Sequence, residues 1–384
     1  MKEAPTFYEF FAGGGMARAG LGARWKCLFA NDIDPKKGAT YVENWGAACL
    51  KVEDVGLLST VNLPERAQLA WASFPCQDLS LAGAGGGLNG ERSGTFWAFW
   101  RLIKALRAEG RAPSLVVLEN VCGALTSHGG EDFAAIGAAL TAEGYRFGAL
   151  VMDAVHFVPQ SRPRLFVVGV DHNWPIAGHL TAIRSEPLWH PTSLLSAYDK
   201  LSQQSKAAWV WWNLPSPQMW RRNFSDLIED EPLGVKWHTS AETERLLGMM
   251  SPLNRQKVRE AMCAKRRIVG GIYKRTRKDM QGKRVQRAEI RFDDVAGCLR
   301  TPMGGSSRQL IMIVEGDKVQ SRLLSPREAA RLMGLPDTYK LPDNYNLAYH
   351  VVGDGVVIPV VRFLAAHILE PLLDVEEEIE REAA

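Results

Sequence analysis

Short apolar runs separated by helix-length segments dominate the first half of this chain. Five such runs lie at residues 6–11, 26–31, 68–74, 114–120 and 164–170. Runs of this length and spacing are typical of βαβ units, which build a mostly parallel sheet with helices on its faces. The sequence therefore predicts an α/β fold with a Rossmann-like, doubly wound sheet, accompanied by a smaller irregular domain.

The second half of the chain departs from this alternation. Between about 180 and 315 the strand runs fade, and tryptophan, proline, arginine and lysine become frequent. Residues 255–300 alone hold 15 lysines or arginines against 5 acidic residues, although the whole chain carries a net charge of only +3. Such a basic block predicts a surface that faces a polyanion. We predict a first domain at 1–183, a second domain at 184–315, and a return to the first domain at 316–384.

Local patterns give two further expectations for the second half. In the stretch 325–337, Ser325 is suited to cap a helix, Pro326 to begin it, and Glu328 to complete a capping box. The tryptophan-rich stretch 207–224 is expected to supply the core of the second domain.

Glycine and polar residues gather where predicted strands end. The first strand leads into a glycine-rich turn at 11–20, and such a turn lets a ligand approach a helix N-terminus closely. Asp32, Cys76 and Glu119 each follow an apolar run. Because ligands of doubly wound sheets bind beyond the carboxyl ends of the strands, these residues are expected to share one site.

A third polar group lies at 159–166. Gln160, Arg162 and Arg164 alternate there, so in a single extended strand they would share one face. Two guanidinium groups and an amide in a row form a polar wall that is suited to a base or a phosphate.

The six cysteines and the apolar content bear on compartment and metal content. No pair of cysteines or histidines has the spacing of a zinc site, so we expect no metal and reduced thiols. No apolar run approaches the length of a membrane span, and the first ten residues do not resemble a signal peptide. We therefore expect a cytoplasmic protein with no membrane partner.

Six stretches occur together in a fixed order. They are FAGGGMARAG (11–20), PCQ (75–77), ENV (119–121), QSRPR (160–164), LLSPREAARLMGLPDTY (323–339) and VVGDGVVIPVV (351–361). This ordered set resembles the cytosine-C5 DNA methyltransferases of bacteria and phages, which have the class I methyltransferase fold. The resemblance covers most of the chain outside the middle segment. It implies that 1–183 is the catalytic domain and that 184–315 is a target-recognition domain.

The resemblance implies a role for each catalytic residue. Cys76 would add as a thiolate to C6 of a cytosine that is flipped out of duplex DNA, and C5 would then take a methyl group. Glu119 would contact N3 of the cytosine, and Arg164 would bind its O2. Arg162 would support the same pocket, and Asn120 would brace the loop.

The resemblance also implies S-adenosylmethionine as the cofactor and S-adenosylhomocysteine as its product. The cofactor-binding residues that it implies are Phe11, Ala12, Gly13, Gly15, Asp32, Ile33, Asp54, Val55, Pro75, Phe96, Asp354, Gly355 and Val356. Two departures from the family pattern affect this set. Met16 replaces a usual glycine, and Gly-Asp-Gly at 353–355 replaces Gly-Asn-Ser.

The implied macromolecular partner is double-stranded DNA, bound by a monomer associated with the nucleoid. The DNA-contacting residues that we predict are Gln77, Ser80, Arg92, Gln160, Arg275, Arg277, Lys278, Arg284 and Arg308. A related RNA cytosine methyltransferase, a nicotinamide-dependent oxidoreductase and a catalytically silent DNA-binding protein are the alternatives. The sequence leaves open whether a separate cognate restriction endonuclease accompanies the protein.

Overall fold

A computed structural model describes residues 3–75, 94–218, 223–278, 281–299 and 308–374. The chain divides into two compact units. Unit 1 comprises Met1–Asp153, Pro163–Pro217 and Val356–Ala384, and unit 2 comprises Ala154–Arg162 and Gln218–Gly355. The predicted division by function, with target recognition at 184–315, stays a prediction.

Unit 1 is built on one seven-stranded sheet. In chain order its strands are β1 (Thr6–Phe10), β2 (Lys26–Asp32), β3 (Leu50–Val52), β4 (Leu69–Ala72), β5 (Leu115–Val121), β6 (Tyr145–Asp153) and β7 (Pro163–Asp171). Their spatial order is β3-β2-β1-β4-β5-β7-β6. Strands β1 to β5 are parallel, whereas β7 runs antiparallel to both of its neighbours. The predicted α/β class with a mostly parallel sheet is confirmed.

The helices surround this sheet and continue through unit 2. In chain order they are α1 (Met16–Leu21), α2 (Pro35–Trp45), α3 (Gly94–Ala108), α4 (Glu131–Ala142), α5 (Thr192–Asp199), α6 (Gln203–Ala207), α7 (Ser240–Gly248), α8 (Pro252–Cys263), α9 (Pro326–Leu332), α10 (Tyr345–Asp354) and α11 (Ile358–Leu364). A π-helical turn, Ala365–Leu369, extends α11.

The core of unit 1 lies on both faces of the sheet. The central strand β5 is buried along Leu115–Leu118, as expected for a parallel strand that helices cover on each side. On one face the aromatic rings of α3 pack against the strands, and the Phe99 ring lies 4.9 Å from that of Phe10. Gly20 of α1 lets α11 approach closely, because a Cβ at this position would lie 2.4 Å from Cβ of Val361. The chain order reverses at β1, and such a reversal is where doubly wound sheets bind their ligands.

Unit 2 contains a smaller, fully antiparallel sheet. Its strands β8 (Ile268–Lys278), β9 (Arg284–Arg291), β10 (Leu310–Glu315) and β11 (Lys318–Leu323) lie in the order β11-β10-β8-β9. Ile272, Ile290 and Met312 pack there against apolar residues of α7 and α8. The predicted smaller domain therefore has regular antiparallel structure.

The capping box predicted before α9 is present. The Ser325 hydroxyl accepts a hydrogen bond from the backbone N–H of Glu328 at 3.1 Å. The Glu328 carboxylate accepts one from the N–H of Ser325 at 2.8 Å. The same carboxylate forms a bidentate ion pair with Arg322, and both side chains are fully buried. This paired charge fixes the start of α9 to β11.

Among the described residues, one apolar stretch, Tyr345–Asp374, is long enough by composition to cross a membrane, with a mean hydropathy of 1.8. Its most apolar 18-residue window is 61% buried inside the protein. The helical run is also interrupted between α10 and α11. Both facts favour core helices over a membrane span.

Candidate active site

The glycine-rich turn after β1 has a backbone that only glycine adopts easily at two positions. Gly13 and Gly15 have φ values of 55° and 77°. A Cβ at Gly15 would lie 2.4 Å from Nε1 of Trp45, whereas a Cβ at Gly13 would meet nothing within 4 Å. The Trp45 indole donates a hydrogen bond to the carbonyl of Gly14 at 3.0 Å. Trp45 thus supports the turn from one side, while space remains open at Gly13.

Asp32 links this turn to the end of β2. Its carboxylate accepts hydrogen bonds from the N–H groups of Gly13 at 2.7 Å and Asp34 at 2.8 Å. The Asp32 residue is 7% exposed, whereas the neighbouring Ile33 is 64% exposed. A carboxylate oxygen retains a lone pair after one such bond, so Asp32 can still accept from a ligand hydroxyl. The exposed Ile33 side chain offers an apolar surface beside it.

Asn31 aligns the ends of β2 and β3, and the sequence analysis missed this role. Its side-chain amide donates to the carbonyls of Lys51 at 3.1 Å and Glu53 at 2.8 Å. Asp54, which follows Glu53, caps a short 3₁₀ turn at Val55–Leu57. Its carboxylate accepts a hydrogen bond from the N–H of Gly56 at 2.7 Å. Asn31 therefore holds the end of β2, where Asp32 lies, to the segment after β3 that leads to Asp54.

The remaining predicted cofactor residues of unit 1 differ in exposure. Pro75, the last described residue after β4, is exposed. The Phe96 ring is buried, 5.5 Å from the Phe74 ring and stacked at 5.9 Å on Trp100. Ala12, Val55 and Val356 are also buried. The four buried side chains therefore present little surface of their own to a ligand.

Glu119 and Arg164 meet where β5 ends and β7 begins. The Glu119 carboxylate lies 3.4 Å from Nε of Arg164, and their side chains are 10% and 17% exposed. Arg164 stands opposite Val121 in the register of β5 and β7. Because β7 runs antiparallel to β5, the start of β7 lies beside the end of β5. Strand polarity therefore brings together two residues that are 45 positions apart.

Asn120 joins the end of β5 to the segment that follows β4. Its side-chain amide donates to the backbone carbonyl of Phe74 at 3.1 Å. Phe74 immediately precedes Pro75 and Cys76, so this contact holds the chain just before the predicted nucleophile. Cys76 itself, with Gln77, Ser80 and Arg92, lies outside the residues that the structure describes.

Gln160 and Arg162 belong to unit 2 and precede β7, so they do not share one strand with Arg164. Both residues are buried. Arg162 donates to the carbonyls of Leu299, Gly353 and Gly355. The amide of Gln160 donates to the carbonyl of Leu332 at 2.8 Å. These contacts give both side chains a structural role in unit 2, and their predicted roles toward cytosine and DNA stay predictions.

The predicted residues 354–356 fall at the boundary between the units. Asp354 ends α10, Gly355 supplies a carbonyl to Arg162, and Val356 begins the final segment of unit 1. Their predicted contacts with the methionine end of the cofactor stay predictions.

Glu9 is a second residue that the sequence analysis missed. It lies 1% exposed within β1, and its Oε1 accepts from the backbone N–H of Arg18 at 3.1 Å. Its Oε2 has no hydrogen-bond partner among the described residues. Burial raises the pKa of Glu9 to about 8 from the usual 4.5. The signal in the sequence was the lone acidic residue inside the apolar run TFYEFF.

The predicted DNA-contacting residues of unit 2 lie on two features. Arg275, Arg277, Lys278 and Arg284 are all exposed on β8 and β9. Arg308 lies over the Tyr345 ring at 5.2 Å and donates to Asn346. Within the described part of the chain, no group of three or more His, Cys, Asp or Glu side chains is arranged to hold a metal ion.

Known proteins share this architecture. The methyltransferase EhMeth of Entamoeba histolytica matches with a TM-score of 0.64 at 14% identity, over 97% of this chain and 99% of that one. The Dnmt2 methyltransferase of S. pombe matches with a TM-score of 0.59 at 16% identity, over 96% and 99%. The fold is therefore that of a class I methyltransferase.

Sequence comparisons define the family. The model of the C-5 cytosine-specific DNA methylase family matches residues 5–370. The Type II methyltransferase M.HaeII of Haemophilus aegyptius is 27% identical over 376 residues, which cover 97% of this chain and 95% of that protein. M.HpaII of Haemophilus parainfluenzae is 24% identical over 392 residues, covering 97% and 91%.

The chain belongs to the C-5 cytosine-specific DNA methylase family. It is a DNA cytosine-5 methyltransferase, its substrate is DNA, and the family depends on S-adenosylmethionine. The expectation of this family from six ordered motifs is confirmed.

Proposed function

We propose that this enzyme methylates C5 of a cytosine flipped out of a specific duplex DNA site, through a covalent adduct between Cys76 and C6. The observation that carries this proposal is the pairing of Glu119, near the end of β5, with Arg164, near the start of β7. A carboxyl and a guanidinium side by side complement the N3 and O2 edge of a single cytosine. A base inside a duplex cannot reach such a pair, so flipping is required.

The cofactor site fits S-adenosylmethionine through the ends of β1 and β2 and the loop after β3. The open space at Gly13 admits a ligand close to the backbone. Asp32 would accept from ribose hydroxyls, Ile33 would pack on the adenine, and Asp54 would accept from its amine. When bound, the cofactor supplies an electrophilic methyl group on a sulfonium, and S-adenosylhomocysteine remains after transfer.

The protein side of the chemistry needs one nucleophile and two recognition groups. The Cys76 thiolate forms a bond to C6, and this addition makes C5 nucleophilic. Glu119 would hold a proton at N3, so that the ring does not accumulate negative charge. Arg164 would donate to O2. With the methyl group on C5, the C5 proton would pass to water, the Cys76–C6 bond would break to regenerate the thiolate, and the N3 proton would return to Glu119.

Unit 2 supplies cations for contact with DNA. The exposed Arg275, Arg277, Lys278 and Arg284 lie on its longest strand pair. We propose that the enzyme acts without a metal, as a monomer in the cytoplasm in association with the nucleoid. The Type II naming of its relatives favours a restriction-modification role, in which a separate endonuclease would read the same site.

The decisive experiment is base-resolution bisulfite sequencing of DNA from a host that lacks cytosine methylation and expresses this protein. We expect protected cytosines within one short motif, and Cys76→Ala should abolish the protection while S-adenosylmethionine binding persists. RNA from the same cells, treated in parallel, tests the RNA alternative. Protection in RNA alone would transfer the activity to RNA, and full activity of Cys76→Ala would disprove the covalent mechanism.

A further inference from the structure

Strands β8 and β9 of unit 2 extend beyond the part of the sheet that also contains β10. Strand β10 pairs with β8 from Ile268 to Ile272 only, whereas β9 continues to pair with β8 as far as Lys278. Within the described residues, 273–278 and 284–289 therefore form a two-stranded segment, here called the ribbon. At about 3.4 Å per residue the ribbon is about 17 Å long. The major groove of B-DNA, about 12 Å wide, admits a two-stranded β-ribbon.

The ribbon carries six cations and one acidic residue, Glu289. Antiparallel partners share a face, and the pairs Tyr273–Glu289 and Arg275–Arg287 place Glu289 on the face of Arg275 and Arg277. Glu289 contacts both arginines. Its Oε1 accepts from Nε of Arg277 at 2.7 Å and lies 2.6 Å from Nη2, and its Oε2 lies 3.5 Å from Nε of Arg275.

This contact orients the two guanidinium groups. Glu289 holds Arg277 along its Nε–Nη2 edge, so that the Nη1–Nη2 edge faces away from the carboxylate. Arg275 is further restricted because its guanidinium lies over the Tyr273 ring at 5.8 Å. Two parallel N–H donors in a fixed orientation match the O6 and N7 acceptors of guanine in the major groove.

The two faces of the ribbon differ in how they suit a phosphate. A carboxylate 2.6 Å from Arg277 reduces the attraction of that guanidinium for an anion, but affects a neutral base edge far less. On the opposite face, the cross-strand pairs are Lys274–Ala288, whose alanine is buried, and further out Thr276–Gln286 and Lys278–Arg284, and no ribbon acid lies there. That face suits the DNA backbone, and the Glu289 face suits base edges.

We propose that Glu289 is a positioning residue that holds Arg277, with Arg275 beside it, to read guanine in the major groove of the target site. The inference rests on the proposed function, because it requires unit 2 to bind the duplex that is methylated. It adds the base that is read, the arginine that reads it, and the residue that sets the orientation of that arginine.

The test compares the DNA affinity of Glu289→Gln with that of wild type. If Arg277 reads guanine, the substitution should weaken binding, whereas if Arg277 binds phosphate, it should strengthen binding. The probes are a short duplex with the motif found by bisulfite sequencing, and the same duplex with each motif guanine replaced in turn by 7-deazaguanine. Wild type should lose about fivefold or more in affinity at one replaced guanine. Glu289→Gln should bind the intact duplex about 5- to 150-fold more weakly and lose that discrimination, with unrelated DNA bound as before.

Two further variants separate the paired donors of Arg277 from its charge and control for the loss of a carboxylate. Arg277→Lys retains the charge but not the paired donors, so it should reproduce the lost discrimination. Glu244→Gln, which removes an exposed carboxylate from α7, should leave discrimination unchanged. Melting temperatures should stay near wild type, since exposed ion pairs contribute little to stability.

Three outcomes would overturn the inference. Tighter binding of all duplexes by Glu289→Gln would mean that Arg277 serves phosphate. Full discrimination by Arg277→Lys would exclude the guanine contact while leaving the methylation of DNA intact. The absence of any protected cytosine would instead reject the proposed function, and the inference with it.

Discussion

The side-chain amide of Asn120 donates a hydrogen bond to the carbonyl oxygen of Phe74 at 3.1 Å, and both residues are buried. This contact joins the end of β5 to the loop after β4, two residues before Cys76. Glu119, the neighbour of Asn120, pairs with Arg164. One dipeptide on β5 therefore contributes both to the predicted base pocket and to the position of the predicted nucleophile.

Replacing Asn120 with alanine should reduce kcat more than it reduces stability. The variant leaves the buried Phe74 carbonyl without its donor, at a cost of about 1–3 kcal/mol. A nucleophile displaced by about 1 Å loses on the order of 100-fold in rate. The matched control is Asn44→Ala, which removes an amide bonded to the carbonyl of Thr40 within α2. Equal kcat losses in folded samples of both variants would refute the positioning role.

Glu119→Gln should reduce kcat by about 10²- to 10⁴-fold with S-adenosylmethionine binding unchanged. The amide keeps the shape of the side chain but cannot exchange a proton with N3. Single-turnover methylation and isothermal titration separate the two effects. Glu131→Gln, an exposed acidic residue in the first turn of α4, is the control and should be fully active. A loss of cofactor affinity equal to the loss of rate would instead place Glu119 in the cofactor site.

Gly15→Ala should destabilise the protein far more than Gly13→Ala, whereas Gly13→Ala should weaken cofactor binding because its methyl group fills the open space there. Both positions have positive φ, which costs an alanine about 1–2 kcal/mol. Only at Gly15 would the added methyl group also meet Trp45, at 2.4 Å, and such overpacking costs roughly 1–3 kcal/mol more. Melting temperature and S-adenosylmethionine titration measure the difference. Equal losses of stability would show that the Trp45 contact does not limit this turn.

Stability should decline with rising pH because of Glu9, whose pKa burial raises to about 8. The folded protein holds this proton more tightly than the unfolded chain does. Its contribution is therefore full below about pH 4.5 and is lost as the pH rises through about 8, by at most about 1.4 kcal/mol per pH unit. Glu9→Gln cannot titrate, so urea unfolding should show wild type losing stability relative to this variant across that window. A constant difference between the two proteins would contradict the prediction.

Removing Lys278 and Arg284 together should weaken binding to all duplexes alike. The two residues form a cross-strand pair near the end of the ribbon. Each lost phosphate contact should reduce the slope of log affinity against log salt by about 1. Lys318→Ala, an exposed lysine on β11, serves as the control. An unchanged slope would mean that this face of the ribbon does not contact the backbone.

The strands that the sequence predicted are those with continuous apolar runs. The five runs correspond to β1, β2, β4, β5 and β7, because a strand buried on both faces must be apolar along its length. Strand β3 is only three residues long at the sheet edge, which is too short for a detectable pattern. The predicted strand at 159–166 begins only at Pro163, since the preceding residues bond within unit 2.

Sequence patterns did not predict which side chains contact distant parts of the chain. The tryptophans at 209–212 were expected in the second domain, yet they belong to unit 1, where the Trp209 ring lies 5.3 Å from that of Phe147. Asp32 and Glu119 do lie at or near the carboxyl ends of parallel strands, and their predicted sharing of one site with Cys76 stays a prediction. The resemblance implied that Asn120 braces the loop, whereas no pattern predicts that Asn31 holds strand ends in place, because its amide bonds to the backbone of a distant segment.

The reversed polarity of β7 has a consequence for protein engineering. In a fully parallel sheet only residues that follow strands reach the ligand-binding rim. Here a residue at the very start of a strand does so, because β7 alone enters the sheet from that rim and leaves it at the opposite end. A designer who wishes to graft the carboxyl–guanidinium pair onto another nucleotide-binding scaffold must therefore transplant the inverted strand along with the two side chains.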